Sequence, residues 1–281
     1  MRPPFPYFGG KMLAAEWLIS LMPPHGHYVE AYGGSLAVLL AKPPADHETV
    51  NDIDGGIVAF WQILRERPDD LERYCALTPH ARAEHAHSYD PIPDDHPDPD
   101  LERTRRVWVQ LTQGRAGVRS KTGWRHYMDP SGSSASMPRY LRGYVARMAP
   151  AIDRLRDVSL ECRPAVDLIR AYGQFEDVLL YVDPPYLGTT RQSGGYLHDM
   201  PKAADHAEML DALLACKASV VLSGYASELY DDALTGWARY TKDVGTGQSG
   251  EWGSRVEVAW CNRLVQSEPN LFDLIGSEVA S

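Results

Sequence analysis

Four short stretches of this 281-residue chain carry side chains able to do chemistry. The most constrained is Asp183-Pro184-Pro185-Tyr186, directly after the apolar run Val178 to Val182. A short apolar run ended by an acid and two prolines reads as a buried strand that stops abruptly. Neither proline can donate a backbone hydrogen bond, and Pro185 biases Pro184 toward an extended conformation. The result is a stiff corner with a carboxylate before it and an aromatic ring after it. The Asp183 carboxylate and the Pro184 carbonyl are two acceptors, matched to the two N–H donors of an aromatic amino group. Held so, the amino nitrogen becomes more nucleophilic while Tyr186 stacks on its ring. Such a corner reaches a base only if the base is flipped out of a duplex.

The other three stretches suit a nucleoside-containing small molecule. Tyr28-Val29-Glu30 followed by Gly33-Gly34-Ser35 reads as a strand and a glycine turn, where Glu30 can meet a cation or a hydroxyl. Asp52, at the end of a second strand, stands where an acid typically binds ribose hydroxyls, whereas Asp54 suits a helix N-cap. The pattern G-x-G-x-x-G is absent, which argues against a nicotinamide cofactor. Tyr7-Phe8-Gly9-Gly10-Lys11 is a glycine-jointed segment before a helix; its glycine spacing is not that of a phosphate loop. Taken alone, it is an ordinary turn with a surface lysine.

The elements that must position these residues alternate strand and helix. Strands are expected at Tyr28–Glu30, Thr49–Asp52, Val158–Cys162, the run before Asp183, and Ser219–Tyr225. Helices are expected at Met12–Met22, after Ser35, at Ile57–Arg65, Pro138–Leu155, Ala165–Tyr172 and Asp205–Cys216. Trp237–Val244 and Glu257–Asn262 close the set as an antiparallel pair around a Gly245–Gly253 loop. This predicts an α/β fold with a mostly parallel sheet. The segment Pro91–Asp100 is a proline-rich loop, and Val107, Val109 and Leu111 alternate briefly. His80, His85 and His87 lack a second half to a metal site and are expected to be solvated. Leu271, Phe272, Leu274 and Ile275 in the tail are expected to pack on the body.

Net charge is −10 over the whole chain, but the distribution is uneven. Residues 101–163 hold thirteen Lys/Arg against five Asp/Glu, while residues 66–100 hold three Arg against ten Asp/Glu. A basic block in an acidic protein is an electrostatic footprint for a polyanion; a solvated arginine-rich helical face is the plain alternative. Within it, Thr112 to Tyr127 interleaves Gly, Arg, Lys, Trp and Tyr as phosphate and base contacts require. Arg115, Arg119, Lys121 and Arg125 are the candidate DNA-binding residues. The four cysteines form no CxxC pair, which fits a reducing compartment. No signal peptide or membrane-length apolar run is read, so a soluble, cytoplasmic protein is expected.

In this order and spacing, Tyr7-x-Gly9-Gly10-Lys11, Glu30-x-x-x-Gly34, Asn51-Asp52-x-Asp54 and Asp183-Pro184-Pro185-Tyr186 resemble the DNA adenine methylase (Dam) family of N6-adenine methyltransferases. The phage and stand-alone bacterial branch is the nearest in character, and the resemblance covers roughly residues 4–262. It implies methyl transfer from S-adenosyl-L-methionine (SAM) to adenine N6 in double-stranded DNA, with S-adenosyl-L-homocysteine as product. The implied fold is a SAM-dependent, Rossmann-like methyltransferase sheet. Its catalytic domain would span 1–65 and 156–265, with an inserted, mainly helical recognition domain at 66–155 and a tail at 266–281. Tyr7, Gly10 and Lys11 would line the cofactor and target-base site. Glu30, Gly33, Gly34 and Ser35 would face the methionine part, Asp52 the ribose, and Asp183 to Tyr186 the adenine, with Asp183 also beside the cofactor. No metal is required, and a monomer or weak dimer in a bacterial or phage-infected cell is expected.

Three departures stand out. Glu-Pro-Phe of the family is here Glu30-Ala31-Tyr32. Leu36 replaces a glycine and narrows the backbone freedom of the turn. The acid common after the third strand falls near Arg163-Pro164, leaving Asp167 as a weak substitute. Competing readings are an N4-cytosine methyltransferase, a DNA-binding relative without catalysis, and an RNA or free-nucleotide substrate.

Overall fold

The computed structural model describes residues 1–127, 136–187, 199–246 and 253–263. Seven strands, β1 (His27–Glu30), β2 (His47–Asn51), β3 (Val158–Glu161), β4 (Val178–Val182), β5 (Ser219–Gly224), β6 (Ala238–Thr246) and β7 (Gly253–Cys261), form one sheet in the order β3-β2-β1-β4-β5-β7-β6. The first five run parallel, and β7 enters antiparallel to both β5 and β6. The chain winds outward from β1 through β2 to β3, then returns to β4 on the other side of β1. That reversal opens a crevice at the carboxyl ends of β1 and β4, where open α/β sheets bind ligands.

Both faces of the sheet are covered, so its central strands are apolar throughout rather than alternating with polar residues. Tyr28, Leu179, Tyr181 and Val221 face one core, while Val29, Leu180, Val182 and Leu222 face the other. The second core is closed by α9 (Ala165–Tyr172), α10 (Ala203–Leu214) and α11 (Glu228–Ala233). The first is closed by α1 (Ala15–Ser20), α2 (Ala37–Ala41) and α3 (Gly55–Glu66). It continues without a break into α4 (Pro68–Leu77), α6 (Pro99–Gln113), α7 (Met137–Val145) and α8 (Met148–Leu155) of the inserted segment. The short α5 (Arg82–His87) packs alongside.

The local signals that start these helices are the expected ones. Asp54 caps α3 by accepting from the Gly56 N–H at 2.9 Å, and Asp98 caps α6 by accepting from Leu101 N–H at 3.1 Å. Pro99 then occupies the first turn of α6, where a missing N–H costs nothing.

Three expectations need correction. Val107, Val109 and Leu111 belong to the helix α6, whose side chains from Val107 to Gln113 are all buried; an element buried all round has no polar face to set a helical period. Pro138 to Leu155 is two helices, because Pro150 can donate no bond back to Ala146 and the first helix ends there. His85 is buried beside Tyr89, and His80 stacks on Trp124 at 4.5 Å, so only His87 of the three is solvated. The tail from 264, including Leu271 to Ile275, and residues 247–252 of the expected Gly245–Gly253 loop lie outside the described residues. No helix among those described is long and apolar enough to cross a membrane.

A buried ion cluster ties the insertion to the sheet. Glu48 on β2 accepts from Lys42 Nζ at 2.7 Å and from Arg154 Nη2 of α8 at 2.7 Å. All three side chains are under 10% exposed. Removing one member of such a cluster leaves its partners charged and uncompensated. Glu48→Ala is therefore expected to lose about 3–5 kcal/mol of stability, read as a fall in the urea midpoint; an unchanged midpoint would show the cluster to be idle.

Candidate active site

The sequence places Glu30 and the turn after it at the centre of the crevice. Glu30 ends β1, opposite Tyr181 of β4. Its Oε2 accepts from the Tyr28 hydroxyl at 2.8 Å and from the Leu39 N–H at 3.1 Å. Leu39 lies in the first turn of α2, whose N-cap, Leu36, has no polar side chain. Glu30 thus supplies the cap from a neighbouring strand. Burial raises its pKa to about 8, against the two hydrogen bonds that favour the ionised form.

The glycine turn is pinned from both sides. Gly34 donates to Asp52 Oδ2 at 2.8 Å, and the other oxygen of Asp52 accepts from Asp54 N–H at 2.8 Å. Gly34 sits at φ +48°, and a Cβ there would come within 2.7 Å of the Tyr7 ring. A Cβ on Gly10 would meet the Tyr7 carbonyl at 3.0 Å and the Ser35 hydroxyl at 3.4 Å, so the N-terminal segment packs closely on the turn, with the Tyr7 ring on Gly34. Leu36 does not narrow the turn as expected. It adopts the left-handed conformation itself, at φ 53° and ψ 35°. That conformation costs roughly 1–2 kcal/mol, which burial of the whole leucine side chain offsets by a similar amount. Asn51, not singled out from the sequence, ties three strand ends together: its amide donates to Ala31 O and Arg163 O and accepts from Arg163 N–H, each at 3.0 Å.

The corner after β4 is the second half. Pro184, Pro185 and Tyr186 are buried, and Asp183 is largely so. Lys11, a surface lysine when its segment is taken alone and a site residue by the resemblance, is found in the corner. It is a buried side chain, 6% exposed, with its ammonium in the corner. Nζ lies 2.8 Å from Asp183 Oδ1 and 3.2 Å from Glu257 Oε1, donates to Gly9 O at 3.2 Å and touches the Tyr186 hydroxyl. Tyr186 also donates to Glu257 at 3.0 Å, and its ring leans on Tyr225 at 4.3 Å. Ser223 donates to Asp183 Oδ1 at 3.0 Å and is linked to Tyr181 at 3.1 Å. Burial raises the pKa of both Asp183 and Glu257, and the Lys11 charge acts against it.

One cavity of about 370 Å3 joins the halves. Tyr7, Gly10, Lys11, Glu30, Gly33, Gly34, Ser35, Asp52, Asp183 and Pro185 all line it, with Phe8, Ile53, Ala165 and Val166 as apolar wall. Pro164 lies where the family's acid was sought; Asp167 points to Arg170, 3.9 Å away, and is not part of the wall.

The basic loop is closed by a bridge between Gly114 and Trp124 and tied to the cavity wall, since Phe8 N–H donates to Gly117 O at 2.9 Å. Arg115 and Lys121 are exposed on it. Arg119 instead pairs with Asp54 at the head of α3, and Arg125 donates to the Tyr127 hydroxyl at 2.8 Å and lies over the Tyr140 ring.

The strand order, the crevice at the β1–β4 reversal and the antiparallel closing pair define an α/β methyltransferase fold. Residues 7–92 match the model of the D12 class N6 adenine-specific DNA methyltransferase family. That match, which includes Tyr7, Lys11, Glu30 and Asp52, covers 86 of the 281 residues and supports the likeness to Dam-like enzymes that methylate adenine in DNA. A comparison with curated proteins returned no match. Among solved structures, a precorrin-8W decarboxylase of Methanobacterium thermoautotrophicum is similar at TM-score 0.36 and 10% identity, over 93% of this chain and 97% of that one, too weak a likeness to bear on function.

The raised pKa of Glu30 has a measurable consequence. Between its unfolded value near 4.5 and about 8, the folded protein keeps a proton that the unfolded chain has released. The stability this gives is full below pH 4.5 and is lost as pH rises toward 8. Glu30→Gln stays neutral throughout, so urea unfolding of the two proteins at pH 5, 6.5 and 8 should show wild type falling relative to the variant. Parallel curves would contradict this.

Proposed function

We propose that this protein transfers a methyl group from SAM to the N6 amino group of an adenine flipped out of double-stranded DNA into the Asp183–Tyr186 corner. The observation that carries the reading is the single cavity shared by the Glu30–Asp52 half and the corner. Its fit to SAM rests on the donor set. Glu30 is a buried carboxyl group that a cationic amino end arriving beside it would favour in its ionised form, and Asp52 is a strand-end carboxylate at the cavity wall whose oxygens are acceptors suited to ribose hydroxyls. Gly33, Gly34 and Ser35 let the chain approach closely, and Ile53, Ala165 and Val166 form an apolar slot for a purine ring. When bound, SAM supplies an electrophilic methyl carbon on a sulfonium.

The corner does the rest. Asp183 and the Pro184 carbonyl accept the two N6 hydrogens, which aims the nitrogen lone pair at the methyl carbon. Tyr186, wedged against Tyr225, offers a fixed face for the purine. As N6 gains its bond to carbon it sheds one proton, through Asp183 or to water, and its raised pKa suits Asp183 to that task. Residues 66–155 act as the DNA-recognition segment, with the 1–65 and 156–265 parts as the catalytic body.

Asp183→Ala should lose methyl transfer to DNA by at least about a hundredfold while remaining folded, read by its thermal unfolding. Lys11 retains Glu257 as a partner, so the corner stays compensated. Wild-type turnover in that variant would sink the proposal. Arg115→Ala and Lys121→Ala should each lower the slope of log affinity for DNA against log salt by about one; unchanged slopes would remove those residues from the DNA path.

A further inference from the structure

Glu257 lies outside every motif quoted above, yet it reaches the reacting corner from the closing strand β7. Its Oε1 lies 3.2 Å from Lys11 Nζ and accepts from the Tyr186 hydroxyl at 3.0 Å. Lys11 is therefore shared between two carboxylates, Asp183 at 2.8 Å and Glu257 at 3.2 Å. Asp183 Oδ1 is the atom Lys11 holds, and Ser223 donates to the same oxygen. An amino group that bonds the same carboxylate competes with Lys11 for its charge, and a buried ammonium yields part of that interaction at lower cost where a second carboxylate is in reach. Glu257 is that second carboxylate, so Lys11 need only shift its weight within the corner.

We propose that Glu257 is a positioning residue for methyl transfer. It takes up the charge of Lys11 when adenine N6 engages Asp183, and it holds the Tyr186 ring in its stacking plane. The inference rests on the adenine-N6 reading of the corner. Its chemistry separates into two parts that substitution can resolve. A glutamine at 257 keeps an amide oxygen to accept from Tyr186 but carries no charge, which leaves Asp183 as the carboxylate for Lys11. A glutamate-to-aspartate change keeps the charge on a shorter arm.

The test is steady-state methyl transfer from SAM to adenine-containing DNA by wild type, Glu257→Gln and Glu257→Asp, with thermal unfolding and SAM affinity measured on each. Glu257→Gln is expected to lower kcat about tenfold to a hundredfold with the KM for SAM, the SAM affinity and the melting temperature near wild type. Glu257→Asp should recover part of the loss. A Glu257→Gln enzyme with wild-type kcat overturns the inference, as does a loss that merely follows a fall in melting temperature or in SAM affinity. Absence of transfer by wild type itself would instead refute the adenine-N6 reading on which the inference stands.

Discussion

The site depends on burying several carboxylates at one sheet edge. Glu30, Asp183 and Glu257 all sit at or near the carboxyl ends of the central strands, and burial pushes each toward its neutral form. Lys11 opposes that shift for two of them, Asp183 and Glu257. It can do so because Gly9 and Gly10 let the N-terminal segment run against the glycine turn, delivering the lysine from outside the sheet. Glu30 has no such cation in contact and is held by a hydroxyl and a helix N-terminus instead. The two halves of the cavity thus differ electrostatically. One has a carboxylate poised to ionise beside a cation, and the other has a carboxylate already neutralised in place.

The inserted segment is not hung on this body by a linker. Its core is continuous with one face of the sheet, and its longest helix, α6, donates from Trp108 Nε1 to Pro4 O at 3.1 Å. The basic loop that follows α6 meets the cavity wall through Gly117 and Phe8. It also reaches the head of α3 through Arg119 and Asp54. The surface suited to touch DNA and the residues suited to touch the cofactor are therefore neighbours through backbone, without a long side-chain relay. A shift of the loop on a duplex would be felt directly at Phe8, next to the Tyr7 ring that packs on Gly34.

Much of this was legible in the sequence, for identifiable reasons. The parallel strands announce themselves as short apolar runs, because both of their faces are buried. Asp54 as a cap, Asp52 at a strand end and the Asp183 corner follow from residue type and position alone. What escaped has equally definite causes. The local sequence around Lys11 reads as a turn with a surface lysine, and only the resemblance put it in the site, because a lysine's burial depends on partners over 170 positions away, Asp183 and Tyr186. Glu257 had one usable signal, a lone acid set in the run Val256 to Cys261, apolar but for itself. Arg119 counted as a free cation because its partner, Asp54, lies in another part of the chain. Periodicity failed on α6 because it is buried all round, and Pro150 was the overlooked sign that α7 and α8 are separate.

The same pairing logic changes the electrostatic reading of the basic block. Arg105 and Arg106 are engaged by Glu102, Arg105 also by Glu84, Arg103 by Asp100, and Arg154 by Glu48. The acidic stretch before the block therefore neutralises part of it, and the excess charge counted along the sequence overstates what a polyanion would meet. Within the block, and among the described residues, Arg115, Lys121, Arg125, Arg139, Arg142 and Arg147 have no carboxylate in contact; Arg125 is engaged by the Tyr127 hydroxyl and Arg147 by Pro3 O, and Arg115 and Lys121 are exposed on the loop tied to the cavity wall. In an acidic protein a polyanion is repelled in general and attracted locally where exposed cations lack carboxylate partners, as Arg115 and Lys121 do. On that view the net charge of −10 is compatible with DNA as substrate, because it restricts the orientations in which DNA can approach.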